Sequence, residues 1–454
     1  MYLTEKFAKL VTGTRYVDIP AAARAKAKEC ILDCLGCAIA GSAEPISAPV
    51  GRYLDAVGGH AQSTLIGIGG KTSVTNAALA NGVFGHVLDY DDTNQIFIGH
   101  GSVVIVPAIF ALAEKLGSSG EDIITAYMLG TEVQWKLGEA LVACGDHYSK
   151  GWHSTCTIGA FGATASAAKL TGLTAEQTAY AFGIAASEAG GFQEQFGTHC
   201  KAFHAGRANE IGVRAALLAK GGFTSAKSAF EGNVGFLKLV ADKHDLSKID
   251  NFGAPWGILE KTFGRGINLK AHPVCASALG AVEGMQSLMQ KHGIGADDVE
   301  RIECGVRPHS LNILMYHAPK TGLEAKFSAE YWPAITLLRG RLGLREITDD
   351  VVAQPAVQAL MRKVKVYPDP TVELATARVN IKVTLKDGRS FSEGYYPAKG
   401  ATDNPLTQAE LVEKFNECAQ WGGVPPEKAR RAVDVLLDLE RMGRPDELMN
   451  SLTA

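Results

Sequence analysis

Apolar and polar positions in residues 1 to about 265 follow the period of α-helices, in segments separated by glycine and loop residues. The segments NAALANGVFGHVLDY, EDIITAYMLGTEVQWKLGEALV and GRANEIGVRAALLAKGG are clear examples. TAEQTAYAFGIAASEAGG begins with Thr174, a residue type that caps helices. Strand signal is weak here, and STLIGIGG is its best candidate. The pattern predicts that this part of the chain is all-helical.

The pattern changes after Trp256. HPVCASALGAVEGMQSLMQKHG predicts one helix, whereas VERIECGV alternates as a strand does. ARVNIKVTLKDGRSFSEGYY contains two alternating runs joined at Asp387-Gly388, which predicts a β-hairpin. Helical periodicity returns in TQAELVEKFNECAQWG and PEKARRAVDVLLDLERMG. We therefore predict a mainly α protein, with a discontinuous all-helical domain (1–265 and 401–454) and a smaller α+β domain (266–400).

Composition narrows the function classes. The 454 residues are 46% hydrophobic and 20% charged, with a net charge of −3, so nothing favours binding to nucleic acid or to an anionic membrane surface. The nine cysteines are an odd number without a paired framework, which favours a reducing, cytoplasmic location. The start MYLTEKFAKLVTGT carries charges and does not resemble a secretory signal. No apolar run has the length of a transmembrane helix.

Three cysteines have the C-x₃-C-x₂-C spacing found in some iron–sulfur enzymes: Cys30, Cys34 and Cys37. They lie in AAARAKAKECILDCLGCAIAGS, where positions i, i+4 and i+7 share one helical face. A straight helix spreads three thiols along its axis, whereas a cluster needs a loop that wraps around iron. We predict a buried, metal-free packing stripe rather than a cluster.

No P-loop, Rossmann fingerprint, H-E-x-x-H motif or paired C-x-x-C motif is present, so a nucleotide or metal enzyme is not expected. Polar residues instead stand within glycine-rich and apolar segments. HVLDYDDTNQIFIGHGS is the first such segment, and it contains Asp89, Asp91, Asp92, Thr93 and His100. Its simpler interpretation is a helix C-terminus that runs into a solvated acidic loop. Crowded carboxylates are costly unless cations lie opposite them.

Three further segments supply such cations. KGWHSTCTIGAFGA carries His153 before a helix start, FGTHCKAFHAGRANE carries Lys201 and His204, and GINLKAHPVCA carries Lys270. Each segment taken alone is more simply explained by structure than by catalysis. Together they supply several cations and a few acids from one otherwise apolar region. That combination suits a small polycarboxylate substrate.

At these residues the sequence resembles the MmgE/PrpD family, which includes 2-methylcitrate dehydratase, cis-aconitate decarboxylase and iminodisuccinate epimerase. The resemblance extends over nearly the whole chain. The segments that carry it, in order, are ILDCLGCAIAGS, NGVFGHVLDYDDT, GHGSVVIVPAIFALAE, GWHSTCTIGAFGATASAAKLTGL, KAFHAGRANEIGVRAALLAKGGFT, NLKAHPVCASALGAVEG and EAKFSAEYWPAITLLRG.

The resemblance implies a large helical domain, an α+β lid domain with the site between them, a homodimer, and no metal or organic cofactor. It also implies catalytic roles for the residues that match family motifs: Asp89, Thr93, His100, His153, Lys201 and Lys270. Asn94 stands where relatives often have histidine, Gly101 replaces a proline, and Leu279 stands near another histidine position. Tyr316, His204 and Asp92 are further residues whose part in the site stays open.

The family members share one chemical problem, which is proton transfer at a carbon next to a carboxylate. We therefore expect a cofactor-independent lyase acting on a small di- or tricarboxylate, most simply a 2-methylcitrate dehydratase-like enzyme. A cis-aconitate decarboxylase-like or iminodisuccinate epimerase-like enzyme is an alternative. A non-catalytic carboxylate-binding protein is a rival from another class.

Overall fold

Helices dominate the first part of the chain in the computed structural model, which describes residues 1–261, 265–372, 379–395 and 397–454. In chain order the elements are α1 (Leu3–Gly13), α2 (Ala21–Ser42), α3 (Ser47–Val57), β1 (Ser63–Thr64), β2 (Lys71–Thr72), α4 (Val74–Val87), β3 (Thr93–Asn94), α5 (Val106–Leu116), α6 (Gly120–Gly138), α7 (Ser154–Thr157), α8 (Gly159–Leu170), α9 (Ala175–Ala186), α10 (His199–Lys220) and α11 (Phe236–Val240).

The second part mixes strands and helices. Its elements are β4 (Ile267–Asn268), α12 (Gly280–His292), β5 (Val299–Val306), α13 (Gly322–Ala325), α14 (Tyr331–Arg339), α15 (Asp349–Val352), α16 (Pro355–Met361), β6 (Val364–Pro368), β7 (Val379–Leu385) and β8 (Ser390–Tyr395). The chain then returns to helices in α17 (Gln408–Trp421), α18 (Pro426–Leu437) and α19 (Asp446–Ser451). The predicted mainly α class with a smaller α+β region is confirmed.

Local sequence signals explain several of these boundaries. The hydroxyl of Thr174 accepts a hydrogen bond from the backbone N–H of Gln177, which caps α9 as predicted. Ser73 caps α4 in the same way, accepting from the N–H of Asn76 at 3.3 Å. The STLIGIGG segment contributes only the two residues of β1, paired with β2.

Close packing of α4 against α10 depends on glycine. A Cβ atom on Gly206 of α10 would lie 2.4 Å from the carbonyl oxygen of Leu79 in α4, so that position has no room for a side chain. On α4, a Cβ atom on Gly82 would lie 2.8 Å from the Cα of Gly206. The two glycines let the helix backbones approach closely, which brings the end of α4 beside the start of α10.

A four-stranded sheet in the order β6-β5-β7-β8 forms the centre of the α+β region. β5 runs parallel to β6 and antiparallel to β7, and β7 pairs antiparallel with β8. The predicted hairpin is confirmed, with Gly388 in the left-handed conformation (φ +88°) that its turn requires. VERIECGV is β5, as predicted.

The prediction of one continuous helix after Lys270 is wrong in its start. The α-helix begins only at Gly280, after a single 3₁₀ turn at Ala276–Ala278. The backbone N–H of Cys275 donates instead to the carbonyl oxygen of Lys326, at 3.0 Å. That bond holds the preceding segment outside the helix.

The three closely spaced cysteines lie on α2, where all three are buried and carry free thiols. Burial raises the pKa of the Cys30 thiol to about 12 and raises those of Cys34 and Cys37 well above their usual value. A thiol in that state packs as a small apolar group. The absence of a metal on this stripe stays a prediction.

Two contacts join distant parts of the chain around the site. β3 pairs with β4, which places Thr93 opposite Asn268. Leu411 and Phe415 of α17 share a buried cluster with Leu35 of α2, so the C-terminal helices pack on the helical region. This packing supports the proposed discontinuous domain, whose boundaries stay a prediction.

No single helix among the described residues is long and apolar enough to cross a membrane. α2 and α3 taken together reach the length and composition, but they meet at an angle of 88°.

Candidate active site

A partly enclosed cavity of about 320 Å³ lies between the helical region and the α+β region. All six residues singled out by the sequence line it: Asp89, Thr93, His100, His153, Lys201 and Lys270. The α+β region contributes Ser277, Leu279 and Arg307. Apolar side chains complete the wall, among them Ile96, Ile98, Val142, Phe196, Ile313 and Phe327. The structure thus brings the predicted residues into one place, and their catalytic roles stay a prediction.

Asp89 is the electrostatic centre of the cavity. It follows the end of α4 in the left-handed conformation (φ +51°), which aspartate tolerates better than most residues. Its Oδ1 lies 3.1 Å from the Nζ of Lys201 and 3.1 Å from the Nζ of Lys270. Burial alone raises the pKa of Asp89, but the two lysines outweigh it and hold the pKa well below its usual value. Asp89 is therefore a permanent carboxylate.

Asp91 lies between two histidines. Its Oδ2 is 3.0 Å from the Nδ1 of His86 and 3.0 Å from the Nδ1 of His100. The Nε2 of His86 accepts from the Nζ of Lys201 at 2.7 Å, so its proton is on Nδ1 and points to Asp91. Burial lowers the pKa of His86 to about 3 and also lowers that of His100, against the opposing effect of Asp91.

His100 faces a carboxylate with each ring nitrogen. Its Nε2 lies 3.3 Å from Oδ1 of Asp89, and its Nδ1 lies near Asp91 without a well-aligned hydrogen bond among the described residues. A buried polar atom without a well-aligned partner is uncommon in a folded protein. His100 is part of the cavity wall, and a catalytic role for its ring stays a prediction.

His153 precedes α7 and forms the neighbouring part of the wall. Its Nδ1 lies 2.9 Å from the Nδ1 of His204 on α10. Burial, followed by the nearby Lys201, holds the pKa of His153 well below its usual value. Burial also lowers the pKa of His204 to about 4. Both rings are neutral near pH 7, so each can accept or donate one proton.

Four buried lysines surround the segment that ends α4. Lys201 and Lys270 bind the Asp89 carboxylate, and Lys270 also donates to the Asp89 carbonyl oxygen at 2.5 Å. Lys326 donates to the carbonyl oxygen of Val87 at 2.9 Å, and Lys414 donates to that of Tyr90 at 2.9 Å. A helix C-terminus leaves carbonyl groups unpaired and carries negative potential, and the ammonium group of Lys326 satisfies the last of these carbonyls in α4. Lys270 and Lys414 do the same for carbonyl groups of the segment that follows the helix.

Sequence comparison agrees with this arrangement. Residues 5–249 match the model of the MmgE/PrpD N-terminal domain, and residues 272–440 match that of the MmgE/PrpD C-terminal domain. The chain belongs to the MmgE/PrpD family.

Two kinds of named MmgE/PrpD relative are similar to this chain. The cis-aconitate decarboxylase of Mus musculus is 30% identical over 427 residues, covering 91% of this chain and 86% of the relative. The cis-aconitate decarboxylase of Homo sapiens is 28% identical over 455 residues, covering 96% of this chain and 92% of the relative. The 2-methylcitrate dehydratase of Escherichia coli K12 is 25% identical over 450 residues, covering 91% and 89%. The named relatives of this MmgE/PrpD protein are thus lyases.

The interpretation of residues 89–93 as a solvated acidic loop is wrong. Asp89, Asp91 and Asp92 are all at most 2% exposed, because cations and hydrogen-bond donors enclose them. Asp92 turns away from the cavity and accepts hydrogen bonds from the N–H and the hydroxyl of Ser102. Burial raises the pKa of Asp92 to about 7. Its position indicates a structural role.

Tyr316 does not belong to the cavity wall that the described residues form. Its hydroxyl donates to the carbonyl oxygen of Phe196 at 3.0 Å, which supports a wall residue from behind. Leu279 is in the wall and contributes an apolar group to the cavity.

Ligand atoms of His86, Asp89, Asp91 and His100 lie within 4.8 Å of one another. Imidazole and carboxylate groups are donors that a transition metal accepts. The Oδ1 of Asp89, however, already lies 3.1 Å from two ammonium groups, which would repel a divalent cation. The two lysines supply the positive charge that a metal would bring.

Three residues near the site were not predicted from the sequence, namely His86, Lys326 and Lys414. The sequence also did not predict that Asp91 would lie between two histidines. A histidine in the otherwise apolar GVFGHVLDY was an available signal for His86. Lys326 stands in the segment EAKF, where it follows a glutamate and an alanine and precedes a phenylalanine, and the segment does not show which group its ammonium contacts. Lys414 carries no local signal, because its partners Tyr90 and Asp33 are more than three hundred residues away in the chain.

Proposed function

We propose that this protein is a lyase that needs no organic cofactor or metal and acts on a small tricarboxylate of the cis-aconitate type. The observation that carries the proposal is the convergence of Lys201, Lys270 and His100 on the buried carboxylate of Asp89. His153 lies in the wall of the same cavity, which is large enough for such an acid. Removal of carbon dioxide is the reaction we favour, because the two decarboxylases reported above match this chain at higher identity than the E. coli dehydratase.

Fixed positive charge supports recognition of a polyanion. Among the charged groups that meet at Asp89 in the cavity wall, two ammonium groups face one carboxylate, which leaves one positive charge for a substrate carboxylate. The Asp91 carboxylate lies behind them, between the rings of His86 and His100. Arg265 and Lys399 also line the cavity, although each already lies beside a glutamate, Glu139 and Glu410 respectively. Charges held in a partly dry site stabilise developing negative charge more strongly than charges in water do.

The neutral histidines support proton transfer. In a decarboxylation the C–C bond to the leaving carboxylate breaks and carbon dioxide departs. The electron pair left behind is delocalised toward a remaining carboxylate and finally forms a new C–H bond with a proton from the protein. His153 is suited to deliver that proton, because it is buried, neutral and part of the cavity wall. The ammonium groups stabilise the intermediate carbanion.

Dehydration of a 2-methylcitrate-type acid is the second candidate, supported by the E. coli relative. The same residues would then remove a proton next to a carboxylate, and an acid would protonate the departing hydroxyl. An iminodisuccinate epimerase-like reaction would use the same proton removal with no bond to a leaving group broken. These reactions differ in products, so one experiment separates them.

The test is incubation of the purified protein with cis-aconitate, 2-methylcitrate and citrate in deuterated water, followed by proton NMR. We expect loss of cis-aconitate with release of carbon dioxide and one deuteron on carbon. Loss or gain of water without carbon dioxide would favour the dehydratase. Deuterium exchange without net conversion would favour an epimerase-type reaction, and no change in any acid would favour a carboxylate-binding protein.

A matched pair of variants links the activity to this cavity. His153→Ala should lose turnover, whereas His292→Ala should keep it, because His292 is exposed and stacks on Phe391 in the α+β region. The homodimer and the cytoplasmic location remain predictions.

A further inference from the structure

His204 stands directly behind a residue of the cavity wall and is not itself part of the wall that the described residues form. Its side chain is buried and turned toward His153, with the two Nδ1 atoms 2.9 Å apart and the ring planes inclined at 55°. Gly191 makes room for this ring, because a Cβ atom on Gly191 would lie 3.2 Å from the His204 ring.

A short contact between two Nδ1 atoms restricts the proton positions. One nitrogen must carry a hydrogen and the other must offer a lone pair, because two donors or two acceptors would repel each other. The two neutral rings therefore hold opposite tautomers. If His153 carries its proton on Nδ1, its Nε2 is a base. If His204 carries the Nδ1 proton, the Nε2 of His153 is an acid.

Because its Nδ1 is engaged by His204, the nitrogen that His153 has left for a substrate is Nε2. A proton accepted there would make an imidazolium close to the ammonium group of Lys201, which disfavours that state. Passing the Nδ1 proton on to His204 removes the charge from His153 at once. The ring pair can thus move a proton without storing a second cation in the cavity.

We propose that His153 and His204 form a two-ring proton relay, in which His204 supplies through its Nδ1 a proton that replaces the one His153 gives to the substrate. In the direction of decarboxylation, His204 takes a proton on Nε2 and gives its Nδ1 proton to the Nδ1 of His153. His153 gives its Nε2 proton to the substrate carbon. Each ring gains one proton and loses one, so the carbon receives the former Nε2 proton of His153 and the two rings exchange tautomers. After the product leaves, water protonates the Nε2 of His153, the Nδ1 proton moves back to His204, and the Nε2 proton of His204 returns to water, which restores the starting state. The substrate that receives the proton is taken from the proposed function. The opposite tautomers of the two rings follow from their contact alone and do not depend on that function.

Two substitutions separate a relay from a merely structural contact. The side-chain amide of His204→Asn can donate to or accept from the Nδ1 of His153, but it cannot pass a proton through. His204→Leu fills similar space without a hydrogen bond. A relay predicts that kcat falls at least tenfold in both variants, with KM little changed and with a larger solvent deuterium isotope effect in His204→Asn. His292→Asn is the matched control and should behave as wild type.

The asparagine variant is decisive. Wild-type kcat in His204→Asn combined with loss in His204→Leu would overturn the relay and leave His204 as a group that only orients His153. Wild-type kcat in both variants would also overturn it. Melting temperatures of the variants show whether each one folds.

A second measurement needs no substrate. Nitrogen-15 NMR of the histidine-labelled protein should show one ring of this pair protonated on Nδ1 and the other on Nε2, and His204→Leu should remove the hydrogen-bonded Nδ1 signal. Identical tautomers on both rings would overturn the inference. If the acids above are not turned over but the opposite tautomers are observed, the proposed substrate has failed and the proton-sharing pair has not.

Discussion

Two pairs of buried lysines meet the same short segment at the end of α4, yet they have different surroundings. Lys201 and Lys270 line the cavity and bind the carboxylate of Asp89. Lys326 and Lys414 lie outside the wall formed by the described residues and donate to backbone carbonyl groups. All four are at most 6% exposed, so burial does not distinguish them. The two pairs differ in the group that each ammonium contacts and in whether the side chain reaches the cavity.

The comparison separates two uses of one residue type. Lys201 and Lys270, the inner pair, face one carboxylate in the cavity wall and have positive charge left for a substrate. Lys326 and Lys414, the outer pair, hold the backbone on either side of Asp89, the carboxylate that the inner pair binds. Lys414 illustrates the second use, since it also lies 2.6 Å from Asp33 and donates to the carbonyl oxygen of Lys270 at 2.9 Å. We therefore expect inner variants to lose activity and outer variants to lose stability first.

Lys414→Met should have the largest effect. It would leave the carboxylate of Asp33 buried without its cation, which typically lowers the free energy of unfolding by about 3–5 kcal/mol. Denaturant unfolding measures this change. The double variant Asp33→Leu/Lys414→Met is the control, and it should recover much of the loss because no buried charge remains unpaired. Unchanged stability in the single variant would contradict the assignment of Lys414 to the outer pair.

Lys201→Met and Lys270→Met should each lower kcat/KM about a hundredfold, equivalent to about 3 kcal/mol of transition-state stabilisation. The measurement uses the acid that the NMR experiment identifies, and the melting temperature shows that the variant is folded. Lys382→Met is the matched control, since Lys382 is an exposed residue of β7. Near-wild-type turnover in both inner variants would remove these lysines from the proposed site.

Asp92 provides a pH test of the buried segment. Its pKa is raised from about 3.8 in the unfolded chain to about 7 in the folded protein, so the folded state binds the extra proton. Stability should therefore fall as pH rises through this window, by roughly 2 kcal/mol between pH 5.5 and pH 8. Asp92→Asn should flatten the pH dependence of the melting temperature. An equally steep fall in that variant would assign the effect to another group.

Chelation should have the smallest effect. Because two ammonium groups already neutralise Asp89, dialysis against EDTA should leave both kcat and melting temperature unchanged. Loss of activity that zinc or manganese restores would show instead that His86, Asp91 and His100 bind a metal.

Local patterns predicted the parts of this protein that depend on near neighbours in the chain. The Asp387-Gly388 hairpin, the cap at Thr174 and the buried stripe on α2 all follow from residues within a few positions of each other. The family resemblance selected six residues that prove to line one cavity. Their roles were not readable from spacing, because the contacts that define them connect separate elements.

Long-range contacts account for what the sequence did not predict. The solvated-loop interpretation fails because the cations that enclose Asp89, Lys201 and Lys270, lie 112 and 181 positions further along the chain. The late start of α12 likewise depends on a hydrogen bond from Cys275 to Lys326, fifty-one positions further along the chain. Such contacts depend on the assembled core and leave no periodic signal.

The hydrogen bonds from Lys414 to the carbonyl oxygens of Tyr90 and Lys270 connect residues that are far apart in the chain, and this affects the order in which the site forms during synthesis. Protein chains emerge from the ribosome with their N-terminal part first. A nascent chain that has emerged as far as Asp403 already contains all the cavity-lining residues described above, but it lacks α17. Translation that stops at that point yields a polypeptide with every residue of the proposed site and no ammonium group beneath the carbonyl oxygens of Tyr90 and Lys270. Completion of the site is therefore one of the last events of synthesis, because Leu411 and Phe415 of α17, which share a buried cluster with Leu35 of α2, are made after the whole cavity wall.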